Sequence, residues 1–311
     1  MVIKHIIGFH LIKYQEEVND LLYYIKGLNC TYKKLVPPVL IIEELKIIKG
    51  SRVFFIGPSG VGKSTILESL GLMNNTIKFH NDNAVFNVFY DLEEGSVKTE
   101  CLLSIWNKGE KKLSDLRNKI FSFIFQSNNL FSSMSGYQNI ISGAIINGMD
   151  SLNAREKASE LVSKLLPDLN LNDNDKDFNI LEMSGGQRQR VSFSRAIIAN
   201  KPILFADEPT GNLDWYNADN VMNDLHNNMG KDGTSIVVTH DIDLALKFAT
   251  QIVMISKQKC KDRDGKDHYY GAINNSTVYN KKDIIWENDS VKKAEKEVRE
   301  ELRSMFIPKD F

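Results

Sequence analysis

The run Gly57-Pro58-Ser59-Gly60-Val61-Gly62-Lys63-Ser64 constrains this chain more than any other part of it. Just before it, residues 52–56 are apolar and read as a strand. After it, through residues 63–72, Ile66, Leu67 and Leu70 recur at helical spacing. A strand that turns through glycines straight into a helix brings several backbone N–H groups and the positive helix end to one point. The residue types follow from that geometry. Glycine lets the backbone close around an anion, Lys63 brings a point charge to it, and the Ser64 hydroxyl can ligate Mg²⁺, with Thr65 extending the set into the helix. A phosphate-binding loop is expected here.

A second segment supplies what phosphate chemistry requires. Residues 202–206 read as a buried strand that ejects Asp207 and Glu208 at its carboxyl end, where ligands sit in open α/β sheets. Two adjacent carboxylates in that position are costly unless they hold a cation or move a proton. Asp207 is expected to reach Mg²⁺, and Glu208 to polarise the attacking water as general base. The two segments together predict an ATPase of the phosphate-loop class.

The third segment, Met183-Ser184-Gly185-Gly186-Gln187-Arg188-Gln189-Arg190, narrows the class. Ser-Gly-Gly opening a helix is a second anion-binding terminus, and it lies too far along the chain to belong to the first loop. One active site needs one cradle for its phosphates. Two cradles in one domain imply that each serves a different ATP, so two subunits must face each other.

With that segment the sequence closely resembles the ABC (ATP-binding cassette) ATPases, whose signature is usually Leu-Ser-Gly-Gly-Gln. Met183 in place of Leu conserves volume. The resemblance covers residues 21–256 or so. It implies that Ser184, Gly185, Gly186 and Gln187 meet the ATP held by a second subunit. It also implies that Gln126 contacts Mg²⁺ and senses a membrane partner, that His240 is the switch histidine near the γ-phosphate, and that Asp214 stands in the loop crossing the dimer interface. Tyr32 matches the aromatic residue that stacks on adenine. Lys63, Gln126, Glu208 and His240 form the expected catalytic set; Ser64, Gln126 and Asp207 the expected Mg²⁺ set. The run from Phe205 to Asp214, with Asn217-Ala218-Asp219 and Val238-Thr239-His240-Asp241, is similar to one subgroup, the ATPases of lipoprotein release, cell division, macrolide export and peptide-antibiotic resistance. Those work with permeases that have few transmembrane helices. Residues 76–112 depart from the subgroup's pattern, and the tail after residue 257 lacks a counterpart. The rival class is a soluble ABC ATPase serving DNA repair or translation; the long coiled-coil insertion or second cassette of those proteins is absent here.

The expected fold is a phosphate-loop α/β core with an antiparallel β subdomain and a helical arm at about residues 127–183. Residues 1–20 read as an extension, with a short helix through residues 14–22, and a strand signal follows at Leu21–Leu28. Antiparallel strands are expected at residues 84–90 and 97–106, joined near Glu94-Gly95. Helical spacing dominates residues 137–166. The tail, residues 257–311, opens with a hairpin turning at Asp264-Gly265 and closes with a charged helix after Ser290, its stripe formed by Val291, Ala294, Val298, Leu302 and Met305. A net charge of −1 gives no reason to expect nucleic acid as a partner. Cys30, Cys101 and Cys260 have no metal-ligand spacing and read as free thiols of a reducing compartment. No apolar run approaches the roughly 18 residues that span a bilayer, and no signal peptide is recognised. The expected place is the cytoplasm, at the inner face of a membrane, held there by an integral membrane permease. The expected second partner is another copy of the chain or a homologous ATPase subunit.

Overall fold

The strand that enters the phosphate-binding loop stands in the middle of the larger of two sheets. The computed structural model describes residues 20–33, 36–77, 83–91, 97–167, 178–211, 215–229, 233–262 and 264–307. β1 (Leu21–Cys30) and β2 (Leu40–Ile48) belong to the smaller sheet, β3 (Arg52–Ile56) to the larger, and α1 (Lys63–Leu70) follows the loop. β4 (Val85–Asp91), β5 (Val97–Cys101) and α2 (Glu110–Ile120) come next, before β6 (Phe121–Ile124), α3 (Gly136–Ile145), α4 (Ser151–Leu165) and α5 (Gly185–Ile198). The chain continues through β7 (Ile203–Asp207), α6 (Trp215–Asn228), β8 (Thr234–Thr239), α7 (Ile242–Phe248) and β9 (Gln251–Met254). The last stretch holds β10 (Ser256–Lys261), β11 (Asp267–Ile273), β12 (Val278–Lys282), β13 (Ile285–Glu287), β14 (Lys292–Ala294) and α8 (Glu295–Ser304).

The larger sheet has the order β14-β13-β12-β9-β3-β8-β7-β6, and the smaller β10-β11-β2-β1-β4-β5. From β9 to β6 the large sheet is parallel, and its strands are buried almost throughout, as strands covered on both faces must be. Register then decides where the chemistry gathers. Ile56 lies beside Thr239 and Asp207 beside Val238, so the loop after β3, the carboxylates after β7 and His240 after β8 leave the sheet at one edge. One apolar core fills the space between the two sheets, around Tyr23, Phe55, Phe86 and Phe205; a second covers the opposite face of the large sheet; a third holds α3, α4 and α5 together as the helical arm.

Several expectations are corrected. Leu21 and Leu22 open β1 rather than closing a helix, and the rest of residues 14–22, Asp20 apart, lies outside the described residues. The strand expected to reach Trp106 stops at Cys101; after the rung from Leu102 N to the Phe86 carbonyl, Ser104 turns the chain into a short 3₁₀ helix. The Glu94-Gly95 joint is outside the described residues. Residues 137–166 divide into two helices because Gly148 takes φ 86° and Asp150 caps α4 through its carboxylate. The hairpin is present as β10 and β11, and β11 lies parallel to β2. The charged helix begins later than expected. Asn288 Oδ1 accepts from the amides of Ser290 and Val291, and Ala294 pairs with Ile285 in β14, so Val291 is exposed and only Val298, Leu302 and Met305 form the stripe. Three strands of the tail, β12 to β14, lengthen the large sheet beyond β9.

Candidate nucleotide site

The phosphate-binding loop takes its shape from two glycines in left-handed backbone, Gly60 (φ 79°) and Gly62 (φ 91°), a region a side chain rarely enters. Gly62 is also the N-cap of α1, and no side chain caps that helix. Lys63 folds back over the loop, its Nζ donating to the carbonyls of Gly57 (2.9 Å) and Pro58 (3.0 Å). Val39, Ser59, Gly60, Gly62, Lys63, Ser64, Thr65, Gln126, Asp207 and Glu208 line one open cleft of about 390 Å³.

The electrostatics of the cleft are unbalanced in a way that suits a phosphate and a cation. Burial pushes the Lys63 ammonium down from its ordinary value, against the pull of Glu208 and Asp207. Burial pushes the Asp207 carboxyl up; a hydrogen bond with Ser64 opposes the shift, and Glu208 and Glu68 add to it. Asp207 Oδ1 is buried with no hydrogen-bond partner among the described residues. Both groups are therefore held towards their neutral forms. A phosphate beside Lys63 and a divalent cation beside Asp207 would restore both charges. The uncapped helix end, the glycine cradle and the unpartnered carboxylate oxygen fit such a ligand pair.

Glu208 has left-handed backbone (φ 47°), unusual for a residue with a side chain and costing about 1–3 kcal/mol. Its amide is held by the Val238 carbonyl at 2.9 Å, and its Oε2 meets His240 Nδ1 at 2.7 Å. The carboxylate is mostly buried and the imidazole mostly exposed (13% and 66% accessible). Strain at this one residue is where the chain leaves β7 and enters the cleft. Tyr32 joins the site through its hydroxyl, 3.0 Å from Thr65 Oγ1, with more than half of the residue accessible.

Other expected residues stand elsewhere. Ser184, Gly185, Gly186 and Gln187 open α5 on the helical arm and do not line the cleft. Ser184 Oγ accepts from Gln187 N (3.2 Å) and Gln187 Oε1 accepts from Ser184 N (2.8 Å), a reciprocal cap. Asp214 lies outside the described residues.

One contributor has no motif to announce it. Arg195 of α5 donates from Nη2 to the Asn128 carbonyl (3.0 Å) and from Nη1 to the Asn129 carbonyl (2.8 Å), and Ser192 Oγ donates to Asn128 at 3.1 Å. The segment after Gln126 is thus tied to the helix that begins with Ser184. The available signal was Asn128-Asn129 itself, since asparagine tolerates the positive φ both residues adopt. Farther along, buried Asn139 donates to the carbonyls of Phe131 and Ser135 and accepts from Phe131 N. That bracing leaves Phe131 and Met134 exposed while Leu130 packs on the core of the arm.

A parallel strand entering a glycine loop and helix, with paired carboxylates ending the second strand beyond it, defines a phosphate-loop nucleotide hydrolase. The family model described as ABC transporter matches residues 43–211, and the chain belongs to that family, as an ATP-hydrolysing cassette. It is 35% identical to the lipoprotein-releasing system ATP-binding protein LolD of Syntrophus aciditrophicus over 67% of this chain and 84% of that protein. It is 34% identical to the macrolide export ATP-binding/permease protein MacB of Aggregatibacter actinomycetemcomitans over 82% of this chain, which spans only 36% of MacB's length. Among solved structures, the ATP-binding cassette MJ0796, a dimer in a post-hydrolysis state bound to ADP and Pi, superposes with a TM-score of 0.59 and 27% identity, over 75% of this chain and 94% of that one. The lipoprotein-release and macrolide-export subgroup expected from residues 205–241 is the one these relatives represent.

Proposed function

We propose that the chain is one half of a cassette pair that closes on two Mg-ATP and drives a separate membrane permease. The observation that carries the reading is the Glu208–His240 contact at the mouth of the phosphate-loop cleft. In this reading Lys63 and the loop amides hold the β- and γ-phosphates, and Ser64, Asp207 and Gln126 hold Mg²⁺, which neutralises phosphate charge when bound. Glu208 accepts a proton from the attacking water on a carboxylate oxygen, and His240 Nδ1 holds that carboxylate in place. Tyr32 stacks on adenine. Ser184, Gly185, Gly186 and Gln187 serve the nucleotide of the facing subunit, another copy or a homologue, and the family resemblance gives Asp214 a part in the contact between the two. Closure excludes water from the γ-phosphate, and reopening after hydrolysis is the mechanical output.

No described helix is long and apolar enough to cross a membrane; in the proposed reading the permease is a separate protein or a separate part. The surface at Phe131 and Met134, beside Gln126, offers apolar anchors in a polar rim for a short helix of such a partner. In this reading the chain works at the cytoplasmic face of a membrane. Affinity capture from detergent-solubilised native membranes is expected to recover an integral membrane protein, and recovery of none would favour the soluble rival.

Glu208→Gln tests the chemistry. The amide is nearly isosteric but cannot take the proton, so ATP binding is expected to persist while phosphate release drops about 10³-fold. Near-normal turnover would remove Glu208 from the role of base.

A further inference from the structure

The phosphate-binding loop rests on a wall built from the far end of the chain. β11 runs parallel to β2 with Gly271 beside Leu40, and Gly271 N donates to the Val39 carbonyl at 2.9 Å. A Cβ placed on Gly271 would lie 2.0 Å from the carbonyl oxygen of Val61, 2.6 Å from Ile255 Cγ2 and 3.1 Å from Leu40 Cδ1. The first of these is backbone of the phosphate-binding loop itself. The loop's other end also lies close to the same wall, since a Cβ on Gly57 would lie 2.8 Å from the Ile255 carbonyl oxygen. Ile255 precedes β10, so one connected piece of chain backs both ends of the loop.

The same hairpin also holds the neighbouring rim of the cleft. His268 Nε2 donates to the Pro38 carbonyl at 3.1 Å. Val39, the next residue, lines the cleft, and its carbonyl oxygen lies 3.3 Å from where Gly62 would carry a Cβ. Close-packed backbone has no slack to absorb a methyl group here. An atom cannot stay 2.0 Å from a carbonyl oxygen, so either the hairpin or the loop must move.

We propose that the β10–β11 hairpin is a positioning element for ATP binding, and that Gly271, by having no side chain, sets the seat on which the phosphate-binding loop rests. The proposal rests on the reading that this loop holds the phosphates. Glu208 and His240 leave the sheet from β7 and β8, strands that pair with neither β10 nor β11, so a displaced loop weakens nucleotide binding while Glu208 and His240 keep their places.

Steady-state ATPase kinetics of the full chain test this. Gly271→Ala is expected to raise KM for ATP about tenfold or more with kcat kept within about twofold, because sub-ångström misplacement of binding groups is costly. Trp286→Ala serves as the stability control: it empties a fully buried site on the opposite face of the large sheet. It should lower the melting temperature at least as far as Gly271→Ala does, with KM unchanged. Equal KM in Gly271→Ala and wild type, or equal increases in the two variants, would overturn the proposal. If Gly271→Ala does not fold, His268→Ala decides the matter, with about a threefold rise in KM expected and no rise overturning it. Lys63→Ala keeps the two readings apart. Should Lys63→Ala bind ATP normally, the phosphate-loop reading fails; should it lose binding while Gly271→Ala keeps it, only the positioning role fails.

Discussion

Two helices of this protein open on glycine-rich segments, and their first turns are finished in opposite ways. α1 starts at left-handed Gly62 with no side-chain cap, and its first residues line a cleft that holds a buried carboxylate oxygen with no partner among the described residues. α5 starts at Ser184 and closes its own end through the reciprocal bonds with Gln187. An uncapped helix end forgoes the stabilisation a cap supplies, about 1 kcal/mol, and that cost is offset only when an anion arrives. Residues at an exposed surface, which the proposed reading has meet the phosphate of a second molecule, have no such ligand in the lone chain. A self-capped end keeps them ordered, and the Ser184 hydroxyl can still donate outward while it accepts from Gln187. On the proposed reading, the difference is between a cradle prepared inside each chain and a surface that a second chain's nucleotide would meet.

The sharpest way to break this contrast is at the prepared cradle. Lys63→Ala removes the only side-chain cation among the described residues lining the cleft and is expected to weaken ATP binding by about 100-fold, the value of a charge-assisted hydrogen bond near 3 kcal/mol. Equilibrium binding to the isolated chain measures it, and an affinity within a fewfold of wild type would put the phosphates elsewhere. Ser184→Arg sits on the other side of the contrast. It should leave ATP binding to one chain within about threefold and abolish the ATP-dependent dimer of the Glu208→Gln variant, since bulk is placed where a partner's phosphate must dock. Sedimentation with ATP decides, and a dimer that still forms would end the in-trans role. The smallest effect concerns the cap alone. Ser184→Ala should cost about 1 kcal/mol of stability without nucleotide, seen as a lower melting temperature. An unchanged melting temperature would mean that the α5 cap contributes nothing to the lone chain.

The site was readable where chemistry is local in the chain. Residues 57–65 carry their own geometry, because the glycines, the lysine and the hydroxyls are neighbours in sequence and act as neighbours in space. Asp207 and Glu208 were readable for the same reason, as the polar end of a buried strand. The positive φ of Glu208 was not, since nothing in Asp-Glu-Pro-Thr announces a left-handed residue; its amide is held by the Val238 carbonyl of the neighbouring strand β8, which local sequence does not reveal. Arg195 was equally silent. Its role depends on two carbonyls more than sixty residues away, offered only because Asn128 and Asn129 turn the backbone there. The tail shows how periodicity misleads. Val291 and Ala294 lie at the helical spacing that leads to Val298, yet strand pairing with β13 claims residues 292–294, and the Asn288 side chain holds the turn before them.

By itself, then, the sequence determined the phosphate-binding loop, the carboxylate-bearing strand end, the signature helix and the family they imply, because each is a short run whose function needs those residue types at fixed spacing. Only the tertiary structure decided that the chain's last fifty residues belong to both sheets, that a hairpin from that region seats the phosphate-binding loop, and that Gly271 must lack a side chain. Those facts depend on pairings between β11 and β2 and between β12 and β9. Register between strands distant in sequence is set by the packing of the whole core, where one-residue slips would turn buried faces outward, and no local pattern records which partner a strand will meet.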